Sequence, residues 1–187
     1  MLTLAFDTAT TVTSVAVVRD GKAVARASTV YAREVMKLVD GLVRDPRALD
    51  RLVVGTGPGS FTSIRIGLAT ARGLGLALGL EAAGVSTLHA FSGGEPVIDA
   101  RRGEVFGRDG FVGPPGELDV AGRTLVGDGA VRYRDVFETA GALVPPDDAD
   151  AHRPDAALLV AHAREFGLAE AIEPLYLRAP DAERNLR

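Results

Sequence analysis

The stretch from Gly55 to Gly79, GTGPGSFTSIRIGLATARGLGLALG, constrains this chain more than any other. It follows the apolar run Leu52-Val53-Val54, which reads as a buried strand, and it opens with Gly55, Gly57, Pro58 and Gly59, a cluster that cannot continue that strand. A strand therefore ends in a tight loop. The hydroxyl of Ser60 or Thr62 is suited to cap the next segment, and from Ile64 the spacing of Ile64, Leu68, Ala71 and Leu74 fits one face of a helix. This order aims backbone N–H groups and the positive end of a helix at one spot, which can receive an anion. It serves equally as a sharp turn whose small residues allow close packing. The loop is not a Walker loop, lacking Gly-Lys-Ser/Thr, and it lacks the Gly-x-Gly-x-x-Gly dinucleotide spacing. The helix carries Gly67, Gly73 and Gly75, each about 1 kcal/mol less favourable than alanine. Close approach of another backbone, the sheet beneath or a partner helix, is the expected offset.

Around this stretch the chain reads as alternating elements. Leu2 to Asp7 and Val12 to Val18 are strands, Asp20-Gly21 is a type I′ hairpin signal, and Lys22 to Val30 returns antiparallel. Arg33 to Arg44 places Val35, Val39, Leu42 and Val43 on one helical face, closed by Asp45-Pro46. A strand at Ala82 to Val85 and a helix from Ser86 follow. A meander followed by alternating helices and strands implies a mixed α/β sheet with helices against its faces. From Glu95 the beginning is replayed, with Pro96-Val97-Ile98-Asp99, a turn at Arg101-Arg102-Gly103 and a strand from Glu104 to Gly107. Two lobes are therefore expected, residues 1–93 and a shorter 94–187, with Asp7 and Asp99 turned toward a common cleft. In the second lobe Gly110 to Gly116 reads as a loop, Val131 to Ala140 and Asp155 to Phe166 as helices, Glu173 to Leu177 as a strand and Ala182 to Arg187 as a tail.

Composition narrows the chemistry. With 187 residues, 47% of them hydrophobic, the chain has ample material for a core. There is no cysteine, which excludes disulfides, thiol catalysis and cysteine-held metal and fits a cytoplasmic protein. The start MLTLAFDTAT has no basic segment, and Arg65 and Arg72 interrupt the most apolar helix, so neither a signal peptide nor a membrane span is expected. A formal charge of −4 argues against autonomous binding to a nucleic-acid backbone. The histidines, His89, His152 and His162, lack metal-gripping spacing; His89 is expected to pack in its helix and the other two to lie at the surface. Ser60 is not in a Gly-x-Ser-x-Gly elbow and nothing ties a histidine to it, which argues against a peptidase.

The Gly55–Gly79 stretch resembles the signature of the TsaB (YeaZ) family, partner proteins in tRNA threonylcarbamoyladenosine synthesis. Phe6-Asp7-Thr8-Ala9-Thr10, Gly84-Val85-Ser86-Thr87-Leu88, Ile98-Asp99-Ala100-Arg101-Arg102-Gly103-Glu104-Val105 and Pro174-Leu175-Tyr176-Leu177-Arg178 match in the family's order. Ser63 stands where the family usually has glycine, and Val35 where many members have histidine. The resemblance implies an actin-like ATPase (ribonuclease H-like) fold of two small lobes, in the superfamily once labelled glycoprotease or peptidase M22. It implies a non-catalytic, cytoplasmic subunit that scaffolds a TsaD-type transferase, works with a TsaE-type ATPase, and meets tRNA only through the complex. Alone, such proteins form a homodimer. The His-x-x-x-His metal motif of the catalytic TsaD relatives is missing, so no metal site carries over.

Two sets of residues follow. Asp7, Thr8, Thr10, Gly57, Gly59, Ser60 and Asp99 are the candidates for nucleotide or phosphate contact, with ATP or ADP and magnesium as a non-obligatory ligand near the partner interface; an Asp-Thr turn satisfying its own backbone is the competing account. Val35, Met36, Val39 and Val43 on one helix and Ile66, Ala69, Thr70, Gly73 and Leu74 on the other present more apolar or small side chains than one sheet face needs, and are the candidate partner surface. The alternative function is a self-sufficient actin-like ATPase or small-molecule kinase, for which Val126-Gly127-Asp128-Gly129 is the one candidate adenosine-pocket turn.

Overall fold

The computed structural model describes residues 1–178; the tail expected at Ala182 to Arg187 lies outside them. The first half is a five-stranded sheet of β1 (Leu2–Asp7), β2 (Thr13–Arg19), β3 (Lys22–Thr29), β4 (Arg51–Gly55) and β5 (Glu81–Val85), with α1 (Val35–Leu42) and α2 (Phe61–Leu78) between them. The order across the sheet is β3-β2-β1-β4-β5, the first three antiparallel and β4 and β5 parallel to β1. The hairpin is of the expected type, since Asp20 and Gly21 both have positive φ.

The second half repeats this order in miniature. Its strands are β6 (Glu95–Pro96), β7 (Ile98–Arg101), β8 (Glu104–Phe106), β9 (Val112–Gly113) and β10 (Leu125–Val126). β7, β8 and β9 form an antiparallel meander, while β10 runs parallel to β6, whose line β7 continues. After β10 come α3 (Asp128–Arg132), α4 (Arg134–Thr139) and α5 (Ala156–Leu159).

Both faces of the first sheet are buried. On one, Leu4, Phe6, Val15, Leu52 and Val54 pack with Val35 and Val39 of α1 and Ile64, Leu68 and Ala71 of α2. On the other, Ala5, Ala16, Val53 and Ala83 meet Ile98 and Phe106 of the second meander and Ala156 and Leu159 of α5. A third cluster, including Val97, Leu125 and Phe137, belongs to the second half alone. The expected division at residues 93 and 94 therefore does not hold for the end of the chain: α5 lies on the first sheet, and Gly167 exchanges backbone hydrogen bonds with Ala82 of β5.

Several elements are shorter than periodicity suggests. The helix expected from Ser86 is one 3-10 turn, Thr87–Ala90, and that expected over Asp155 to Phe166 ends at Leu159. Val131 to Ala140 is split at Tyr133, where φ and ψ of −113° and 28° separate α3 from α4. The loop at Gly110 to Gly116 supplies β9, and Glu173 to Leu177 is irregular rather than a strand.

Candidate functional site

The glycine loop joins β4 to α2 as the sequence requires. Ser60 caps the helix, its Oγ accepting from Ser63 N at 3.4 Å, and Gly79 ends it in the left-handed conformation. The loop's glycines are places of close approach. A Cβ on Gly59 would sit 2.2 Å from the Ala9 carbonyl oxygen, and one on Gly55 would overlap the Asp7 carboxylate. The Gly57–Pro58 bond is cis.

Asp7 is fully buried. Its Oδ1 accepts from Ala9 N at 2.8 Å and its Oδ2 from the Thr87 hydroxyl at 2.6 Å, while Thr87 Oγ1 accepts from Gly57 N at 3.1 Å. Thr8 is buried too, donating its hydroxyl to Ser63 O at 2.6 Å across the space left by Gly67. Burial pushes the Asp7 carboxyl above the usual carboxylate range, opposed by the bonds from Thr87 and Ala9. These contacts assign Asp7, Thr8 and Gly57 to holding the loop rather than to an open ligand surface, which corrects the expectation that Asp7 faces the cleft.

The cleft itself lies between the halves, with a volume of about 510 Å³. Thr10, Gly59, Ser60 and Asp99 line it from the candidate set, joined by Thr11, Arg101, Asp128 and Tyr176. Asp99 is held from three directions. Its Oδ1 accepts from Arg101 N at 2.9 Å, and its carboxylate pairs with Arg101 at 3.1 Å and Arg132 at 3.6 Å. Asp128 bridges the halves, its Oδ1 accepting from Asp99 N at 3.0 Å and its Oδ2 from the Thr11 hydroxyl at 3.1 Å. The residues present do not fit a magnesium-bound nucleotide of the actin type: Asp7 is sealed, and Asp99 is neutralised by two guanidinium groups. Among the described residues no three His, Cys, Asp or Glu side chains converge to hold a metal ion, and no histidine lines the cleft near Ser60.

The chain's Leu175–Arg178 segment spans the cleft mouth. Leu175 N bonds Thr56 O at 2.8 Å, Tyr176 stacks on Phe61 at 4.8 Å and accepts from Arg65 Nε at 3.2 Å, and Arg178 pairs with Glu104 at 2.7 Å. Arg101 lines the cleft and is committed to its ion pair with Asp99, while Glu104 lies behind it, paired with the lining Arg178.

The candidate partner surface divides. Val35, Val39 and Val43 are buried in the chain's own core, so their helical face is turned inward, a correction to their assignment as a docking face. Met36, at 47% exposure, is the one of that set at the surface. On α2, Ala69 and Gly73 are exposed and Ile66, Thr70 and Leu74 half-buried, and Leu76, unremarked in the sequence, is 79% exposed. His152 is buried, contrary to expectation, with Nδ1 accepting from Gly127 N at 3.2 Å and Nε2 facing Pro145 O at 3.1 Å. His89 and His162 stack at 4.1 Å. No helix among the described residues is long and apolar enough to cross a membrane.

A sheet of order β3-β2-β1-β4-β5, replayed in miniature by the two small sheets of the second half with a cleft between, defines a two-lobed protein of the actin-like, ribonuclease H-like class. The model of the family TsaD, tRNA N6-adenosine threonylcarbamoyltransferase, matches residues 25–126. An uncharacterized Mycobacterium tuberculosis protein is 40% identical over 148 residues, covering 72% of this chain and 67% of its own length. The tRNA threonylcarbamoyladenosine biosynthesis protein TsaB of Bacillus subtilis is 31% identical over 122 residues, or 57% of this chain and 53% of that one. A Pseudomonas aeruginosa crystal structure, of a protein with similarity to peptidase YeaZ, superimposes with a TM-score of 0.77 at 27% identity, covering 95% of this chain and 99% of that one. This chain belongs to the TsaB (YeaZ) family, within the wider group that the TsaD model describes.

Proposed function

We propose that this chain is a non-catalytic subunit in the synthesis of N6-threonylcarbamoyladenosine in tRNA, and that it docks a TsaD-type transferase through the exposed side of α2. The TsaB names of its Bacillus subtilis and Escherichia coli relatives support the pathway. The observation that carries the docking surface is Gly73. Of the glycines inside α2, Gly67 makes room for Thr8 and Gly75 for Ala169, whereas a Cβ on Gly73 would meet nothing within 4 Å. A helix-interior glycine costs about 1 kcal/mol relative to alanine. Nothing among the described residues uses that space, and Ala69 and Leu76, about one turn to either side, are exposed. A partner helix crossing close at Gly73 would use it.

In this reading a TsaE-type ATPase joins the pair, tRNA is met only through the complex, and a homodimer uses the same face when the transferase is absent. The sealed Asp7 favours the scaffold over a self-sufficient ATPase or kinase, and the lack of a base at Ser60 among the described residues counts against peptidase chemistry. The test is co-purification with the TsaD-type protein of the same organism. Wild type should form a stoichiometric complex, and Gly73→Arg and Leu76→Asp, each still folded, should lose it. A wild-type chain that never binds the transferase would overturn the proposal.

A further inference from the structure

A second surface, independent of the α2 face, is built at the free edge of β5. The chain pairs with this edge at Ala82, meets the residue after β4 at Thr56, and leaves a gap between the two. Ala82 is bonded in both directions to Gly167, at 2.8 and 3.1 Å; the chain then arches away through Ile172 and returns where Leu175 N bonds Thr56 O. Alternation along a strand means that Ala82 and Gly84 share one edge, while Val85, whose oxygen accepts from Thr56 N, belongs to the other. The N–H and C=O of Gly84 therefore point out of the sheet into the gap, and Gly84 is exposed. Glycine is required there, because a Cβ would lie 2.7 Å from both Ile172 and Thr56 side chains.

The gap opens into a groove of about 620 Å³, lined by Gly84 and Ser86 on the strand side and by Phe166, Leu168, Ile172 and Pro174 on the arch. Leu168, at 75% exposure, adds apolar surface to the groove's lining. The two charged residues that line the groove are both acidic. Glu165 and Glu173 line the groove, Glu81 and Glu170 flank it, and none of the four is in an ion pair among the described residues. Two cations lie beside these groups: Arg72 donates to the Ile172 carbonyl at 3.0 Å, and the Arg51 guanidinium sits over the Phe166 ring at 4.3 Å.

We infer that this groove receives an extended segment of another protein, alternating apolar and basic residues, which adds to the sheet at Gly84. Backbone bonds to Gly84 supply the strand pairing, alternate apolar side chains enter beside Phe166, Leu168 and Ile172, and the outward-facing basic side chains meet the glutamates. A nucleic-acid backbone is repelled by the same rim. The inference does not rest on the transferase-docking proposal, since the groove and α2's exposed stripe are different surfaces.

The test is a nitrogen-15 NMR titration of the full chain with two synthetic hexapeptides, one alternating valine and lysine and one alternating valine and glutamate. The lysine peptide should give saturable shifts centred on the amides of Gly84, Gly167, Leu168 and Ile172, with slowed exchange of the Gly84 N–H. The glutamate peptide should leave them unmoved. Reversing the rim with Glu165→Lys and Glu173→Lys should weaken the lysine peptide about tenfold, and Leu168→Asp, at an exposed site that folding tolerates, should weaken it as well. No saturable shift, shifts centred elsewhere, or equal response to both peptides would overturn the inference.

Discussion

The Thr87 hydroxyl donates to Asp7 Oδ2 at 2.6 Å while accepting from Gly57 N at 3.1 Å, so one side chain ties the end of β1 to the glycine loop. All three residues are buried, and removing the hydroxyl strands two of them. Thr87→Val should cost about 2 to 5 kcal/mol, because a buried carboxylate and a buried N–H each lose a partner. Thr87→Ser keeps the hydroxyl and should cost about 1 kcal/mol for the lost methyl group. Urea unfolding of the two variants checks this, and equal losses would show that packing, not the hydrogen bonds, dominates.

Asp7 gives the fold a pH dependence of defined sign. Burial raises its folded-state pKa above the unfolded value, so folding favours the protonated form. The penalty for burying its charge is absent below the unfolded pKa of about 3.9. It grows as pH rises toward the folded pKa and is constant beyond. Asp7→Asn lacks this titration. The stability of Asp7→Asn minus that of wild type should therefore increase with pH above about 4 and then level off. The wild-type bond from Thr87 favours the charged form and so is already part of the net shift, which burial dominates; the bond that asparagine makes there adds only a constant offset. A difference that is flat or falls across the range would contradict the assignment.

His152 serves the second half as Thr87 serves the first. Its Nδ1 accepts from Gly127 N, at the turn between β10 and α3, and Nε2 faces Pro145 O. An acceptor at Nδ1 fixes the neutral tautomer with the proton on Nε2. His152→Phe fills the volume but leaves both backbone groups without that partner, and should cost about 2 to 4 kcal/mol in denaturant unfolding. Amide exchange should accelerate most at Gly127, and unchanged exchange there would count against the bond.

These anchors mark the limit of what the sequence made legible. The meander, the hairpin at Asp20-Gly21, β4, the glycine loop and α2 are written in local periodicity and turn chemistry, and each lies within a few residues of its expected bounds. Thr10, Gly59, Ser60 and Asp99 do line one cleft. The miss at Asp7 has a different origin. Thr87 stands 80 positions away, and no local pattern tells whether an aspartate at a strand end will open to solvent or be closed over. The same holds for His152, whose partners are backbone groups 25 and 7 positions distant. Val35, Val39 and Val43 were read correctly as one face, but a face does not state which neighbour it meets; the sheet claimed it. Asp128 was present in the Val126–Gly129 turn, yet its role as a bridge depends on Thr11, from the other half.

Glycines within α2 separate the chain's own needs from those of a partner. Alanine at Gly67 would place a Cβ 2.5 Å from the Thr8 hydroxyl oxygen, which is fixed by its bond to Ser63 O, so Gly67→Ala should destabilise by about 1 to 3 kcal/mol. Alanine at Gly73 meets open space on a helix whose propensity it improves, so Gly73→Ala should stabilise by about 0.5 to 1 kcal/mol. Thermal unfolding of the isolated chain reads both. If the space over Gly73 is kept for a transferase helix, the same Gly73→Ala chain should bind the TsaD-type protein more weakly while being the more stable of the two, since a methyl group at a close helix crossing holds the backbones apart. Stability and affinity moving in opposite directions at one exposed residue is a signature that general destabilisation cannot produce. A Gly73→Ala variant that gains stability and binds the transferase as wild type does would remove Gly73 from the interface.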